Sequence, residues 1–383
     1  MTYSIYIVNN ILKLEHIKMN KIISQDMKRI FDNLSTIEKS KLNDSIFLFT
    51  GGAGFLGFYF ITFLITYQQE LNIKKIICLD NFQSGYPNWL KELSNKDKIK
   101  LYNFNVITDN ISNIPDADKV DFVFHMASIA SPLFYRKYPL QTLDANILGL
   151  RNLLEFYSNK KLKGFVFLSS SEIYGDPTSE NIPTPETYRG NVDCQGPRAC
   201  YDEAKRFGET ICYLFNQKYN MPISIIRPFN NYGPGMRLND ARVPADFANA
   251  VRQNKNIVLF SDGTPTRTFC YISDSITGYL KCICHANEEF NTFNIGIDKP
   301  EITISQLADI YIQAGKEIFN YKGKLEYAVS NDKDYLKNNP TRRCPSIDKA
   351  RKLLGYNPVV SVEQGVRFFL EYIKESSEDE LIW

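Results

Sequence analysis

Short apolar runs alternate with segments of helical periodicity along the first two thirds of the chain. The runs Ser45–Thr50 and Lys75–Leu79 are almost continuously apolar, which is typical of parallel strands buried on both faces. Further strands are predicted at 99–104, 121–125, 164–169 and 223–227, and helical patterns lie between them, notably at 141–157 and 200–219. This alternation predicts an α/β fold of the Rossmann type, a doubly wound parallel sheet whose ligands bind at the carboxyl ends of the strands.

The same pattern divides the chain into three parts. Residues 1–44 precede the first strong strand, and their loosely helical apolar spacing predicts an extension that packs on the main body or on a neighbouring subunit. Residues 45–228 form the predicted Rossmann domain. Beyond Arg227–Gly235, which is rich in Pro and Gly, the periodicity is less regular. Residues 229–383 are therefore predicted to form a smaller substrate-binding region, with some segments returning to the Rossmann domain.

Less regular helical patterns occur in this third part. One helix is predicted near Ser305–Lys316, and Arg342–Ser346 is predicted to open another. No internal repeat interrupts the series of elements.

Composition and charge restrict the classes of partner. With 383 residues, of which 44% are hydrophobic and 23% charged, the chain can bury a sizeable core. The formal net charge of +2 gives no basic field for nucleic acid or for an anionic membrane surface. The most apolar run, Phe55–Tyr67, is too short to span a bilayer. Single arginines must therefore carry any recognition of anions.

The cysteines indicate a reducing compartment. The chain has 8 cysteines spread through apolar segments, and none of them has the spacing of zinc ligands. We read them as reduced core residues and expect no metal site. The amino terminus lacks the long apolar region of a secretory signal, so a cytoplasmic location is expected.

A glycine-rich turn follows the first strand. Gly51, Gly54 and Gly57 have the spacing Gly-x-x-Gly-x-x-Gly between a strand and an apolar helix, which lets backbone amides approach a pyrophosphate. Asp80 ends the second strand and can accept both hydroxyls of an adenosine ribose, whereas it would repel a 2′-phosphate. These residues predict an NAD site and a preference for NAD over NADP.

A tyrosine and a lysine four residues apart provide candidate chemistry. On a helix, Tyr201 and Lys205 share one face. A nearby ammonium favours the ionised phenol, so this pair can accept the proton of an alcohol that is being oxidised. Two predicted strands end at His125–Ser131 and Ser169–Glu172, and both segments are expected to line the same crevice. We interpret His125 as a packed residue at the end of its strand.

Two sets of motifs carry a resemblance to a known family. Motifs of a whole superfamily are Gly51–Gly57, Asp80–Phe82, Tyr201-x-x-x-Lys205 and Arg227–Asn230. Motifs of one group within it are Ser128–Pro132, Glu172–Pro177, Tyr188–Asp193, Gly196–Glu203 and Arg343–Ile347. With them the chain, from about Phe47 to Tyr372, resembles the extended short-chain dehydrogenases/reductases that act on nucleotide sugars, most closely the UDP-glucuronate decarboxylases.

The resemblance implies a set of roles at the reacting sugar. Tyr201 would take the proton of the C4 hydroxyl, Lys205 would lower the pKa of Tyr201 and hold the nicotinamide ribose, and Ser170 would bind the C4 oxygen. Glu172 would manage the proton at C5, and Arg343 would bind the sugar carboxylate.

The resemblance also implies binding residues and an assembly. The implied NAD contacts, besides the glycines and Asp80, are Phe55, Leu56, Asn81, Ala127, Tyr201 and Lys205. The implied contacts to a UDP-linked sugar are Ser171, Asn230, Arg242, Arg267, Tyr271 and Arg343. A homodimer is implied in the same way.

Three departures and three rivals accompany this interpretation. The decarboxylases usually have threonine at Ser170, often an aspartate at Asn105, and Pro-like residues at Cys194–Gln195. A 4,6-dehydratase needs an acid where this chain has Ser171, and a 4-epimerase usually lacks a glutamate at position 172. A non-catalytic NAD-binding protein would be expected to have a broken Tyr201/Lys205 pair, which is intact here.

Overall fold

A computed structural model describes residues 19–94, 96–287, 289–330 and 337–382. Its strands, in chain order, are β1 Ile46–Thr50, β2 Lys75–Asp80, β3 Ile99–Asn103, β4 Phe122–His125, β5 Gly164–Leu168, β6 Ile223–Pro228, β7 Asn231–Tyr232, β8 Ile257–Leu259, β9 Thr266–Arg267, β10 Cys270–Tyr271, β11 Asn291–Ile295, β12 Ile302–Thr303, β13 Leu325–Tyr327 and β14 Arg342–Arg343. Its α-helices are α1 Lys21–Asn33, α2 Thr36–Leu42, α3 Phe55–Thr66, α4 Asn88–Ser94, α5 Pro132–Lys137, α6 Pro139–Asp144, α7 Leu150–Tyr157, α8 Ala199–Tyr219, α9 Val243–Arg252, α10 Ile272–His285, α11 Ile304–Phe319, α12 Asp348–Leu354, α13 Val362–Glu375 and α14 Glu378–Leu381.

A seven-stranded parallel sheet forms the centre of the molecule. Its strand order is β11-β6-β5-β4-β1-β2-β3, so the order reverses between β1 and β4, which creates the crevice where such folds bind ligands. The central strands are buried on both faces, and stacked phenylalanines such as Phe49 and Phe124, 5.1 Å apart, fill one side. The predicted Rossmann-type fold is confirmed, and each of the six predicted strands is present to within a residue or two at its ends.

The seventh strand, β11, was not predicted from the sequence. Its segment Asn-Thr-Phe-Asn-Ile lacks a continuous apolar run, yet Asn294 is fully buried. The Asn294 amide donates to the carbonyls of Thr184 and Ser346 at 2.9 and 3.1 Å. Tertiary hydrogen bonds therefore offset the burial of this polar strand.

Small sheets carry the residues that follow the Rossmann domain. Strand β9 lies between β12 and β14 and pairs in parallel with β14, so that Arg267 is the register partner of Arg343. The predicted helix near residue 305 is α11. The prediction for Arg342–Ser346 was imprecise, because Arg342 and Arg343 are in a strand and the helix begins only at Asp348.

The amino-terminal extension packs on the main body. In α1 the apolar residues Ile22, Ile23, Met27 and Ile30 are buried, and the helix lies against α3, α10 and α13. Lys281 of α10 pairs with Glu38 of α2 at 2.9 Å. The part of the extension before residue 19 lies outside the described residues.

Two further findings concern the whole fold. All 8 cysteines are free thiols, but Cys194 is exposed and Cys200 is half-buried, so the prediction of core residues is wrong for these two. Over the residues described above, the structure contains no helix that combines the length and the hydropathy needed to cross a membrane.

Candidate active site

The glycine-rich turn is closed so tightly that side chains could not be accommodated at two of its positions. Gly51 has φ +68°, and a Cβ atom there would lie 2.8 Å from the backbone of Ala127. At Gly57 a Cβ would lie 2.1 Å from the Gly52 carbonyl oxygen, whereas at Gly54 the nearest atom would be 3.3 Å away. Helix α3 begins directly after Gly54, and the first amides of a helix have no partner within it. This cradle fits a dinucleotide pyrophosphate.

Asp80 lies beside this turn. Its carboxylate accepts from the backbone N–H of Ala53 at 2.9 Å and from that of Phe82 at 2.8 Å. Burial raises the pKa of Asp80, although these two hydrogen bonds oppose the rise. The carboxylate is therefore fixed at the end of β2, and its remaining lone pairs can accept ribose hydroxyls. Asn81 is exposed, and its side chain accepts from the Gln83 N–H at 3.1 Å.

Tyr201 lies near the start of α8 and is buried. Its ring stacks on that of Tyr135 from α5, with centroids 5.2 Å apart and planes 11° from parallel. Burial raises the pKa of Tyr201 to about 12, while a hydrogen bond with Ser170 and the charge of Arg242 act to lower it. The structure thus brings together the tyrosine and the serine that the sequence predicted to meet at one oxygen.

Lys205 is one turn further along α8. Its ammonium donates to the carbonyl oxygen of Leu168, at the end of β5, at 2.5 Å. Burial lowers the pKa of Lys205 to about 7. The Nζ atom is 5.6 Å from the centre of the Tyr201 ring, so the predicted pair shares one buried space at the carboxyl end of the sheet.

Glu172 is held between two arginines. It lies in the short 3₁₀ turn Ser171–Tyr174, where its backbone N–H donates to the Ser170 hydroxyl at 3.1 Å. Its carboxylate forms ion pairs with Arg343 of β14 and with Arg198 at the amino end of α8. Burial alone would raise the pKa of Glu172, but Arg198 and Arg343 together outweigh it and lower the pKa to about 2.

Asp202 belongs to the same charged cluster. It is buried, and its carboxylate is 3.5 Å from Nε of Arg198. Burial and the neighbouring Glu172 carboxylate raise the pKa of Asp202 to about 7. Within the described part of the chain, no hydrogen-bond partner reaches Nε of Arg343 or Oδ1 of Asp202. The cluster therefore retains buried polar atoms that a ligand could satisfy.

A second network, of hydrogen bonds and one ion pair around Arg227, holds the loop that carries Glu172. Arg227 donates to the Tyr174 hydroxyl at 2.6 Å and to the Glu186 carbonyl at 3.0 Å, and Tyr174 donates to Asn294 at 2.7 Å. Arg227 also pairs with Glu209 of α8 at 2.6 Å. Strands β6 and β11 and helix α8 thereby position the segment that follows β5.

Other predicted substrate residues surround the cluster. Arg267 is buried, and its guanidinium donates to the carbonyls of Thr266 and Pro340 at 2.7 and 2.6 Å. Arg242 pairs with Asp240. Asn230, in the left-handed region with φ 42°, donates to the Thr268 carbonyl at 2.8 Å.

Tyr271 and His125 make their hydrogen bonds away from the charged cluster around Glu172. The Tyr271 hydroxyl, predicted to contact substrate, donates to Asp26 of the amino-terminal helix at 2.8 Å. His125 is buried, its Nδ1 lies 2.8 Å from the Thr50 hydroxyl, and burial lowers its pKa to about 3. His125 is thus a neutral packed residue, in agreement with its interpretation from the sequence.

Sequence reasoning gave no role to Arg198, Asp202 or Tyr135. Arg198 and Asp202 lie within the motif Gly196–Glu203, so their proximity to Tyr201 along the chain was a usable signal. Tyr135 comes from a different helix, and no spacing in the sequence relates it to Tyr201.

In the described ranges there is no group of His, Cys, Asp and Glu that could hold a metal ion.

Comparison with curated proteins finds relatives among the UDP-glucuronic acid decarboxylases. UDP-glucuronic acid decarboxylase 5 of Arabidopsis thaliana is 33% identical over 320 residues, which cover 83% of this chain and 86% of the plant protein. UDP-glucuronic acid decarboxylase 1 of Xenopus tropicalis is 33% identical over 331 residues, covering 86% of this chain and 72% of the frog protein.

Solved structures share the fold. A UDP-glucose 4-epimerase from Thermotoga maritima, solved with UDP-glucose, superposes with a TM-score of 0.73 at 27% identity and covers 86% of this chain and 99% of its own. A UDP-glucuronic acid 4-epimerase from Bacillus cereus, in complex with UDP-glucuronic acid and NAD, gives a TM-score of 0.71 at 24% identity over 86% and 99% of the two chains.

A family model also matches the residues that build the sheet and the site. It covers residues 47–296, from β1 through β11, and describes the NAD dependent epimerase/dehydratase family. Its span includes the glycine-rich turn, Asp80 and the Tyr201/Lys205 pair. The chain therefore belongs to the NAD dependent epimerase/dehydratase family, is a relative of the UDP-glucuronic acid decarboxylases, and uses NAD as its cofactor.

Proposed function

We propose that this protein decarboxylates UDP-glucuronate to UDP-xylose through a 4-keto intermediate, with the cofactor regenerated in each cycle. The observation that carries this proposal is the buried cluster of Glu172, Arg198 and Arg343 beside Ser170 and Tyr201. Relatives at 33% identity that are UDP-glucuronic acid decarboxylases support it.

The charge of the cluster favours a substrate with a carboxylate. Two buried guanidinium groups, Arg198 and Arg343, pair with the single carboxylate of Glu172, and Arg198 also lies 3.5 Å from the Asp202 carboxyl group. Because the pKa of Asp202 is raised to about 7, the cluster has an excess of positive charge near neutral pH. Buried charges are retained where they are paired, and a uronate carboxylate would supply the missing anion.

The residues around the sugar divide the chemistry between them. Bound NAD, held by the Gly51–Gly57 turn and Asp80, would supply the hydride acceptor for C4 and the hydride donor for the same carbon. Tyr201 takes the proton of the C4 hydroxyl as the C4 ketone forms, and Ser170 holds that oxygen. The ketone lies beta to the carboxylate, so the C5–carboxylate bond breaks, carbon dioxide leaves, and the electron pair enters the ketone. A proton from solvent water, oriented by the ionised Glu172 carboxylate, is then added at C5 and restores the C4 ketone, and Tyr201 returns its proton to the C4 oxygen as that ketone is reduced.

Lys205 supplies positive charge to this exchange when it is protonated. Burial raises the pKa of Tyr201 to about 12 and lowers that of Lys205 to about 7, so both neutral forms are favoured by desolvation. Transfer of the Tyr201 proton creates a phenolate, which the Lys205 ammonium stabilises. Turnover should therefore depend on groups that titrate as a pair.

Incubation with UDP-glucuronate and mass analysis of the product tests the proposal. Loss of carbon dioxide supports decarboxylation, loss of water would indicate a 4,6-dehydratase, and a product of unchanged mass would indicate a 4-epimerase. UDP-glucose, which lacks the carboxylate, is the matched substrate control and should not be turned over to UDP-xylose. A wild-type protein that releases no carbon dioxide from UDP-glucuronate would contradict the proposal.

Substitution of Arg343 tests the residue assigned to the carboxylate. Arg343→Ala should weaken substrate binding by about 1.5–3 kcal/mol, the cost of a lost hydrogen bond to a charged group, and should keep NAD bound. Arg342→Ala is the matched control, because the adjacent arginine is more exposed and pairs with Glu301 at 2.6 Å. Equal effects of the two substitutions would remove Arg343 from the site.

We also infer a homodimer, with α8 in the interface. Phe207 and Leu214 of α8 are 52% and 57% exposed. Leu140 and Leu148 belong to segments that pack against α8, and they are 70% and 46% exposed. Apolar residues exposed in this way along one face indicate an interaction surface. Light scattering of the purified protein should give the mass of two chains, and Phe207→Glu should shift it toward that of one.

A further inference from the structure

Arg198 contacts more of the site than any single motif suggested. It is 7% exposed and lies three residues before Tyr201. Its guanidinium forms the ion pair with Glu172, lies 3.5 Å from the Asp202 carboxylate, and sits over the Tyr135 ring with 5.9 Å to its centre. Tyr135 in turn stacks on Tyr201. One side chain therefore touches the glutamate and, through one aromatic ring, reaches the predicted base.

The neighbours of Glu172 show why two arginines are present. Arg343 approaches from β14 and is also committed to the Gly175 carbonyl at 3.1 Å. Arg198 approaches from α8, the helix that carries Tyr201 and Lys205. Arg198 thus connects the loop after β5 directly to the helix that carries the predicted base.

We propose that Arg198 is a positioning residue that holds the Glu172 carboxylate and the Tyr135–Tyr201 stack in one arrangement, and that Asp202 holds Arg198. This inference rests on the proposed decarboxylation. In it, Tyr201 serves the oxidation at C4, while the ionised Glu172 carboxylate serves the later step at C5 by orienting the water that delivers the proton. Arg198 keeps the groups that serve these two steps correctly placed around the same sugar.

Arginine is the residue type that this position requires. Its planar guanidinium can meet two carboxylates and still present a face to an aromatic ring, whereas a lysine ammonium is a point charge. Arg198→Lys is therefore expected to keep the positive charge but to lose some of the contacts with the two carboxylates and the Tyr135 ring. Arg198→Met removes both the charge and these contacts.

Arg206 provides a matched control on the same helix. It donates to the carbonyls of Ile173 and Arg189 at 2.9 and 2.7 Å, so it also holds the loop that carries Glu172. Its ion pair is with Glu203 and not with the Glu172 carboxylate. Arg206→Met therefore perturbs the loop without removing the contact at issue.

Two readouts separate positioning from general stability. With UDP-glucuronate, Arg198→Met should lower kcat by about 100-fold, the scale of a misplaced reacting group. NADH should accumulate at 340 nm, because Arg198 contacts Glu172 directly and Tyr201 only through Tyr135, so the later proton step slows more than the oxidation. Arg198→Lys should fall between Arg198→Met and wild type, and Arg206→Met should stay near wild type in both kcat and NADH.

The ionisation of Glu172 provides the readout that needs no substrate. The charged and titratable groups that face it are Arg198 and Asp202 of α8, Arg343 of β14, Arg267 of β9 and the hydroxyls of Tyr135 and Tyr201. Carbon-13 NMR of labelled glutamate should show Glu172 ionised at pH 5 in wild type. Arg198→Met should raise the pKa of Glu172, since one of its two ion pairs is lost, and Asp202→Asn should raise it by less, since Arg198 then keeps its charge but loses the carboxyl that holds it.

The outcomes are distinguishable from those of the proposed function. If wild type releases no carbon dioxide but Arg198→Met still raises the pKa of Glu172, the decarboxylation proposal fails and the positioning of Glu172 stands. If wild type is active and Arg198→Met matches Arg206→Met in kcat, NADH accumulation and the Glu172 pKa, the inference is overturned. Should Arg198→Met not fold, Arg198→Lys and Asp202→Asn carry the same comparison.

Discussion

Two clusters of arginine and carboxylate lie largely buried in this molecule, and the pKa values of their carboxyl groups are shifted in opposite directions. At the site, two arginines pair with Glu172 and lower its pKa to about 2. In the amino-terminal extension, Asp26 pairs with Arg29 alone, and burial raises its pKa to about 6 despite that charge. The balance between desolvation and the number of opposing charges decides the direction in which each pKa is shifted.

The clusters differ as well in how completely they are satisfied. Asp26 accepts from the hydroxyls of Tyr59 and Tyr271, each at 2.8 Å, and Arg29 donates to Ser273 at 3.2 Å. At the site, Nε of Arg343 and Oδ1 of Asp202 have no partner among the described residues. A closed network joins elements together, whereas an open one can bind a ligand. We therefore expect the first cluster to govern stability and the second to govern turnover.

The largest expected effect comes from removing one hydroxyl at the site. Tyr201→Phe should lose at least about a hundredfold in turnover, the usual scale for a general acid or base, and should keep its fold and its NAD. Tyr59→Phe makes the same chemical change at the other cluster. Steady-state kinetics that showed near-normal turnover for Tyr201→Phe, or an equal loss for Tyr59→Phe, would break the comparison.

Removing the carboxylate of the closed cluster should affect folding instead. Asp26→Ala leaves the Arg29 charge and two buried hydroxyls without their acceptor, and such a change costs about 3–5 kcal/mol of the free energy of unfolding. Denaturant unfolding at fixed NAD measures this loss. Glu172→Gln is the control, since it should reduce turnover more than stability; a greater loss of stability in Glu172→Gln than in Asp26→Ala would contradict the assignment.

The two carboxylates should give opposite pH dependence of stability. The folded-state pKa of Asp26 is raised from 3.8 to about 6, so its contribution to stability is largest below pH 4 and declines by about 3 kcal/mol as pH rises through 6. The folded-state pKa of Glu172 is lowered from 4.5 to about 2, so its contribution is present above pH 4.5 and is lost as pH falls through 2.

Asp26→Asn isolates the first of these slopes. Unfolding free energies of wild type and Asp26→Asn, measured between pH 4 and pH 6.5, should differ by an amount that changes steadily across this range. A difference that stays constant with pH would show that Asp26 does not titrate there.

The smallest expected effect concerns Tyr271. The sequence predicted that it contacts substrate, whereas in the structure its hydroxyl donates to Asp26. Tyr271→Phe removes one hydrogen bond to Asp26 and should cost about 1.5–3 kcal/mol of the free energy of unfolding. If its hydroxyl serves the amino-terminal helix, KM for UDP-glucuronate should not change. A raised KM without loss of stability would restore the role in substrate binding that the sequence predicted.

The sequence was sufficient for the sheet because its central strands are local patterns. Ile46–Thr50 and Gly164–Leu168 are buried on both faces and read as apolar runs. The sequence did not predict β11. There the buried Asn294 donates to the carbonyls of Thr184 and Ser346, which lie 110 and 52 positions away in the chain. A strand of this kind has no apolar signature, because distant groups supply its hydrogen bonds.

The candidate site divides in the same way. The sequence by itself determined the glycine-rich turn, Asp80 and the Tyr201/Lys205 pair, because each depends on spacing within one strand, turn or helix. Only the tertiary structure decided that Arg343 meets Glu172, that Tyr135 stacks on Tyr201, and that Tyr271 bonds to Asp26. Side chains from separate elements converge only after the sheet and helices pack, and the charge state of each carboxyl then follows from burial and from the arginines that surround it.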